Sequence, residues 1–196
     1  MSRGRLLAGA VLGAAIAASG AGAATAPTPR VLVQKLLANP ITNVQLPLGF
    51  NSATSSSGSP GAVERRHRIV GEVEVSINYG QTILLYAVFP TSQDALGEWQ
   101  DANPGLQPGV KSQQPASGFP TPALSANGST SQTDALNDTI ATPFTALGFV
   151  DGNVVVTITN GSSTAPGDGG SMSHTLSLGR LALKHLQTIE SKLGAS

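Results

Sequence analysis

Residues 69–102, IVGEVEVSINYGQTILLYAVFPTSQDALGEWQDA, carry strand, turn, strand and helix signals in unbroken succession. In the first limb Ile69, Gly71, Val73, Val75, Ile77 and Tyr79 share one parity, and Glu72, Glu74, Ser76 and Asn78 the other. That alternation predicts a strand with one buried and one wet face; only Val70 departs from it. Asn78, Tyr79 and Gly80 tolerate a tight turn, and residues 82–89 (TILLYAVF) form a nearly continuous apolar run of β-formers, as expected of a central strand covered on both faces. Pro90 stops the run. Thr91 and Asp94 then supply a helix start, Ala95, Leu96, Trp99 and Ala102 recur at helical spacing, and Asn103-Pro104-Gly105 ends the helix.

Working outward, a second strand-strand-helix pattern follows downstream, without alignable sequence and so not a repeat. Residues 144–150 and 154–159 flank an Asp151-Gly152-Asn153 turn, a strong hairpin signal. A long amphipathic helix follows, with Leu178, Leu181, Ala182, Leu186, Ile189 and Leu193 on its stripe and Gly194 at its end. Upstream, Thr28 and Pro29 read as N-cap and first helical residue of a short helix that Asn39-Pro40 closes. The expected fold class is α+β, a two-layer sandwich: a mostly antiparallel sheet from two strand-strand-helix units, with the helices on one face. Between these elements, residues 41–50 read as an edge segment or packed loop and 51–61 as a flexible Ser/Gly connection. Residues 103–133, with five prolines, read as a long loop, and a short helical turn is expected within 134–142.

The first 24 residues differ in kind. Arg3 and Arg5 precede an uncharged apolar stretch over 6–18, and Ala21-Gly22-Ala23 is a small-residue cleavage site. These features predict a Sec-type signal peptide over 1–23 and a single secreted domain over 24–196, with no transmembrane helix in the mature chain. Removing Arg3 and Arg5 from the 11 basic residues leaves nine against 11 acidic ones, so the mature chain is near −2. Nucleic acid, which needs a basic surplus, is an unlikely partner on that balance. The 196-residue chain has no cysteine, so it has neither a disulfide nor a lipid-bearing cysteine, and the composition suggests a bacterial exporter.

Several residue groups invite a chemical reading. Arg65, Arg66, His67 and Arg68 follow Glu64 in the densest charge cluster, where guanidinium forks could hold an anionic ligand or envelope polymer; a solvated strand entrance is the plainer alternative. Glu72 and Glu74, about 7 Å apart along one strand face, could form an acid/base pair, though alternating Glu on a wet face is ordinary. His67, Asp94 and Ser171 occur in the order of a serine-protease triad, but the Gly167–Ser171 segment has the wrong internal order for an oxyanion loop. Three histidines at 67, 174 and 185 fit no zinc spacing, and no phosphate loop occurs. No catalytic residue, metal or cofactor is therefore expected.

Leu46, Pro47, Gly49 and Phe50, the run Val88, Phe89, Pro90, Ala95, Leu96 and Trp99, the strand at 152–156 and the LALKHL segment at 181–186 together resemble small exported envelope proteins and extracellular sensor domains of actinobacteria, mycobacteria included. The resemblance implies location more than activity. The first expectation is a secreted, non-catalytic binding or structural component at the cell envelope, whose partner is an envelope component or small ligand. The alternative is an extracytoplasmic carrier or sensor of a small apolar or anionic ligand, with 103–133 as a lid, and a weaker one is a hydrolase using Glu72 or Glu74.

Overall fold

The computed structural model describes residues 28–58, 68–78, 81–102, 109–133, 139–161 and 171–195. The signal-peptide expectation lies outside them. The elements run α1 (Pro29–Ala38), a 3-10 turn (Asn43–Gln45), β1 (Ala53–Gly58), β2 (Gly71–Ile77), β3 (Thr82–Val88), α2 (Ser92–Ala102), β4 (Val110–Pro115), β5 (Ala123–Thr133), β6 (Thr139–Asp151), β7 (Val154–Gly161) and α3 (Met172–Gly194). The seven strands form one sheet in the order β1-β2-β3-β7-β6-β5-β4, every neighbouring pair antiparallel. The α+β class and the antiparallel sheet match the sequence expectation.

The two hairpins meet at the centre, where β3 pairs with β7 from Thr82↔Asn160 to Val88↔Val154. One face of the sheet is a continuous core: Val73, Val75, Ile77, Leu84, Tyr86, Val88, Phe149, Val156 and Ile158 pack under Leu32 and Leu36 of α1 and Leu178, Ala182 and Leu186 of α3. α3 comes very close to β6. A Cβ on Gly179 would stand 2.2 Å from Leu147 Cδ2, nearer than two carbons can approach, so the missing side chain is what lets the helix seat there.

Helix α2 departs from the expected single helical layer and lies across the opposite face. Its Ala95 and Trp99 pack with Ala87, Phe89, Val150 and Val155, which have the opposite parity to the main core. The reason is in β3 and the β6–β7 turn, where the apolar run is apolar on both parities, so each face offers a surface to a helix. Among the described residues this second face is thinly covered beyond α2, and Ile83 and Leu85 are partly exposed. The capping expectation at α2 holds: Thr91 Oγ1 accepts from the Asp94 N–H at 3.1 Å and donates to Asp94 Oδ2 at 2.6 Å.

Two expected loops prove to be strands. Within 51–61, residues 53–58 form β1, an edge strand on β2. Within 103–133, β4 and β5 extend the sheet beyond β6, which removes the lid assigned to that stretch. Both contain small polar residues because they lie at or near edges, where little apolar surface is enclosed. The helical turn expected in 134–142 gives way to strand from Thr139 onward. Phe119, read as a loop residue, is buried and stacks on Phe149 with ring centroids 5.2 Å apart.

Candidate functional site

Of the basic cluster, Arg65, Arg66 and His67 lie outside the described residues. Arg68 is exposed at the entrance to β2 with a left-handed φ of 59°. Glu72 and Glu74 do share a strand face, but Glu72 is 5% exposed rather than wet. It sits opposite Ala87 in the β2–β3 register, on the face that α2 covers, which the two-parity run of β3 foreshadowed. Glu98 of α2 is buried as well, and both carboxylates have interaction partners. The protease-order residues do not converge. Asp94 caps α2, Ser171 precedes α3 and bonds Ser173 at 2.6 Å, and those helices lie on opposite sides of the sheet. Among the described residues no group of three His, Cys, Asp or Glu side chains gathers as a metal site.

The structure draws attention instead to a groove of about 710 Å³ between the end of α1 and the C-terminal half of α3. Its construction starts at Asn39-Pro40. Proline disfavours helical backbone in the residue before it, so α1 ends at Ala38, and Asn39 folds back with its N–H and its Nδ2 both donating to the Lys35 carbonyl, at 3.0 and 2.9 Å. The chain then turns through residues 40–45. Ile41 is buried in the main core, which leaves Val44 95% exposed on the groove side. Opposite, α3 presents His185, Ile189, Lys192 and Leu193, while Lys35 stands on the α1 side.

His185 ties the groove floor together. Its Nε2 lies 2.7 Å from the Asn39 carbonyl, so that nitrogen carries the hydrogen, and Nδ1, 3.2 Å from the Tyr86 hydroxyl, is then the acceptor. The single Tyr86 hydroxyl hydrogen is shared between Nδ1 and the Ala182 carbonyl, which lies at 3.3 Å. Burial raises the Tyr86 pKa and keeps the phenol neutral. Burial also pushes His185 below the usual histidine range, against the opposing pull of its bond to Asn39. One imidazole thus joins sheet, α3 and the end of α1, and both of its nitrogens are occupied.

A second ionisable pair lies farther along α3. Burial, and then the neighbouring charge of Asp151 at the β6–β7 turn, raise the Glu190 pKa to about 7. Gln187 Nε2 donates to Asp151 Oδ2 at 3.3 Å. Nearer the helix start, a buried polar chain holds α3 to the sheet: Thr82 Oγ1 donates to Asn160 Oδ1 (2.8 Å), Asn160 Nδ2 donates to Thr175 Oγ1 (3.2 Å), and Thr175 meets Thr145 Oγ1 (2.7 Å).

The sequence pattern places Leu186, Ile189 and Leu193 on one stripe but does not reveal the groove. Its parts are separated by nearly 150 positions, Asn39 and His185 being 146 apart.

These features define an α+β protein with an open seven-stranded antiparallel sheet. No protein-family profile matches the chain, and no curated protein matches it. Among solved structures, the extracellular domain of PknH from Mycobacterium tuberculosis is similar, with 11% sequence identity, a TM-score of 0.45, and coverage of 78% of this chain and 98% of that one. Among the described residues, no helix is long and apolar enough to cross a membrane.

Proposed function

We propose that the protein is an exported, non-catalytic binding protein that works at or outside the cell envelope and takes a small ligand in the groove between α1 and α3. The observation that carries this reading is the groove itself. At about 710 Å³ it falls in the range of sites that take small molecules, and its mixed apolar and polar wall is the usual composition of such sites. It is built on two helices fixed to one continuous core, so it is largely formed before a ligand arrives. Export is supported by the charged start, apolar stretch and A-x-A site of residues 1–23.

Native mass spectrometry of the protein collected from its host's culture fluid, compared with its denatured mass, tests the reading. Extra mass lost on denaturation supports it and yields the ligand for identification. A bare mass that no added compound increases counts against a carrier.

A further inference from the structure

We infer that the groove selects a single-chain amphiphile with one anionic end, held by Lys35 and Lys192 while its apolar body lies along Val44, Ile189 and Leu193. This deepens the binding-protein reading and rests on it. Three observations converge on it.

The first is charge. Lys35 lies in the last turn of α1 and Lys192 in the last turn of α3, and both line the groove. Each ammonium also offsets the carbonyl end of its own helix, but a helix end carries only about half an elementary charge. Two lysines against two helix ends therefore leave the groove with a surplus of about one positive charge, the complement of one anion. Among the described residues no ion pair engages either lysine. The one acidic residue of α3, Glu190, does not line the groove and lies within reach of the Asp151 charge at the β6–β7 turn.

The second is the apolar wall. Val44 is 95% exposed, although the residue three before it, Ile41, is fully buried in the core. An aliphatic side chain held out on a rigid turn, across from Ile189 and Leu193, gains from being covered. A compact inorganic anion would leave that surface wet, and a neutral hydrocarbon would leave the lysines unmatched.

The third is what His185 cannot do. Both of its ring nitrogens are engaged, by Asn39 and by Tyr86, and the other uncharged polar side chains of the wall are turned inward as well: Asn39 Nδ2 donates to the Lys35 carbonyl, Thr188 Oγ1 to the Lys184 carbonyl and Thr42 Oγ1 to Gln45 Oε1. His185 contributes a ring edge and a fixed floor. The groove's size suits a molecule of drug-like dimensions better than a two-chain lipid lying in a bilayer.

Titration calorimetry of the purified full chain decides the matter with three probes: decanoate below its micelle concentration, decanol, and inorganic phosphate. Decanoate is expected to bind at one site roughly tenfold more tightly than decanol, and phosphate far more weakly than either. Lys35→Gln with Lys192→Gln should weaken decanoate about tenfold and leave decanol unchanged, the scale of two partly exposed ion pairs. Val44→Asp, at a position whose exposure protects the fold, should weaken decanoate and decanol together. Equal binding of decanoate and decanol, an unchanged double-lysine variant, or phosphate binding as tightly as decanoate would each overturn the inference. Co-sedimentation with phosphatidylglycerol vesicles without binding of monomeric decanoate would overturn it in favour of a membrane surface. A cationic or uncharged ligand recovered from the native protein would sink this inference and leave the binding-protein reading standing. If no probe binds and nothing copurifies, both fail.

Discussion

The two faces of the sheet are built differently. Under α1 and α3 lies one unbroken core in which Leu84, Tyr86, Phe149, Leu178 and Leu186 are fully shielded. The other face has separate patches: Ala95 and Trp99 of α2 over Ala87, Val150 and Val155, and apart from them Phe144 with Ala126 and Ala146. Both faces use the same strands, so the contrast measures how much cooperativity comes from continuity rather than from burial alone. The groove belongs to the continuous side, between two helices that share one core with the sheet.

The largest expected effect breaks the continuous face. Leu186→Ala removes a side chain from a closed core and should lower global stability by about 3 kcal/mol, read from the denaturant midpoint. Trp99→Ala deletes more surface, yet its loss should appear first as faster amide exchange confined to α2, because little else depends on that patch. If α2 and the whole sheet lost protection together, the contrast between the faces would be wrong. Next comes Thr175→Val, which takes one member out of the Thr82–Asn160–Thr175–Thr145 chain and leaves buried polar atoms short of a partner. A loss of about 1–3 kcal/mol is expected, with exchange rising in the first turns of α3.

A smaller effect separates the two titrating groups of α3. The folded-state pKa of Glu190 is raised from 4.5 to about 7, so its contribution is fully favourable below about 4.5 and is lost as pH climbs through 7. Glu190→Gln should therefore gain about 1 kcal/mol at pH 8, a figure reduced for the solvent that reaches this half-buried group, and nothing at pH 4.5. His185 is shifted down, so its contribution is intact above about 6.5 and is lost as pH falls below that value. The two trends oppose each other in wild type. In the Glu190→Gln variant the midpoint should fall on acidification below 6.5, and a flat profile there would show that His185 is not held neutral by its surroundings.

The contrast between the faces also explains what could be read from sequence. Residues 71–77 and 82–88 were legible because alternation and a long apolar run register one-sided and two-sided burial directly. The stripe of α3 and the Thr91–Asp94 cap were legible for the same local reason. β1 was not, since ATSSSG pairs only through its backbone at an edge and no apolar residue announces it. β5 was hidden because its buried positions are small on both faces: Ala123 and Ser125 on one, Ala126 and Gly128 on the other, the last lying against the Phe144 ring, where a Cβ would stand 2.4 Å from Cζ. Glu72 was misplaced because period two tells which residues share a face, not whether a helix will cover it. The groove was beyond reach because its two walls join only through tertiary contacts.

The pairing of β3 with β7 carries one more implication. It joins residues such as Thr82 and Asn160, 78 positions apart, and it is the seam on which both hairpins depend. Closing so long a loop costs entropy before the contacts return it. The first hairpin therefore waits for the second, and α3, which follows both, must dock before the main core is dry. Until that seam closes, the apolar sides of both hairpins stay open to water, so one strand pairing decides when the whole sheet becomes dry.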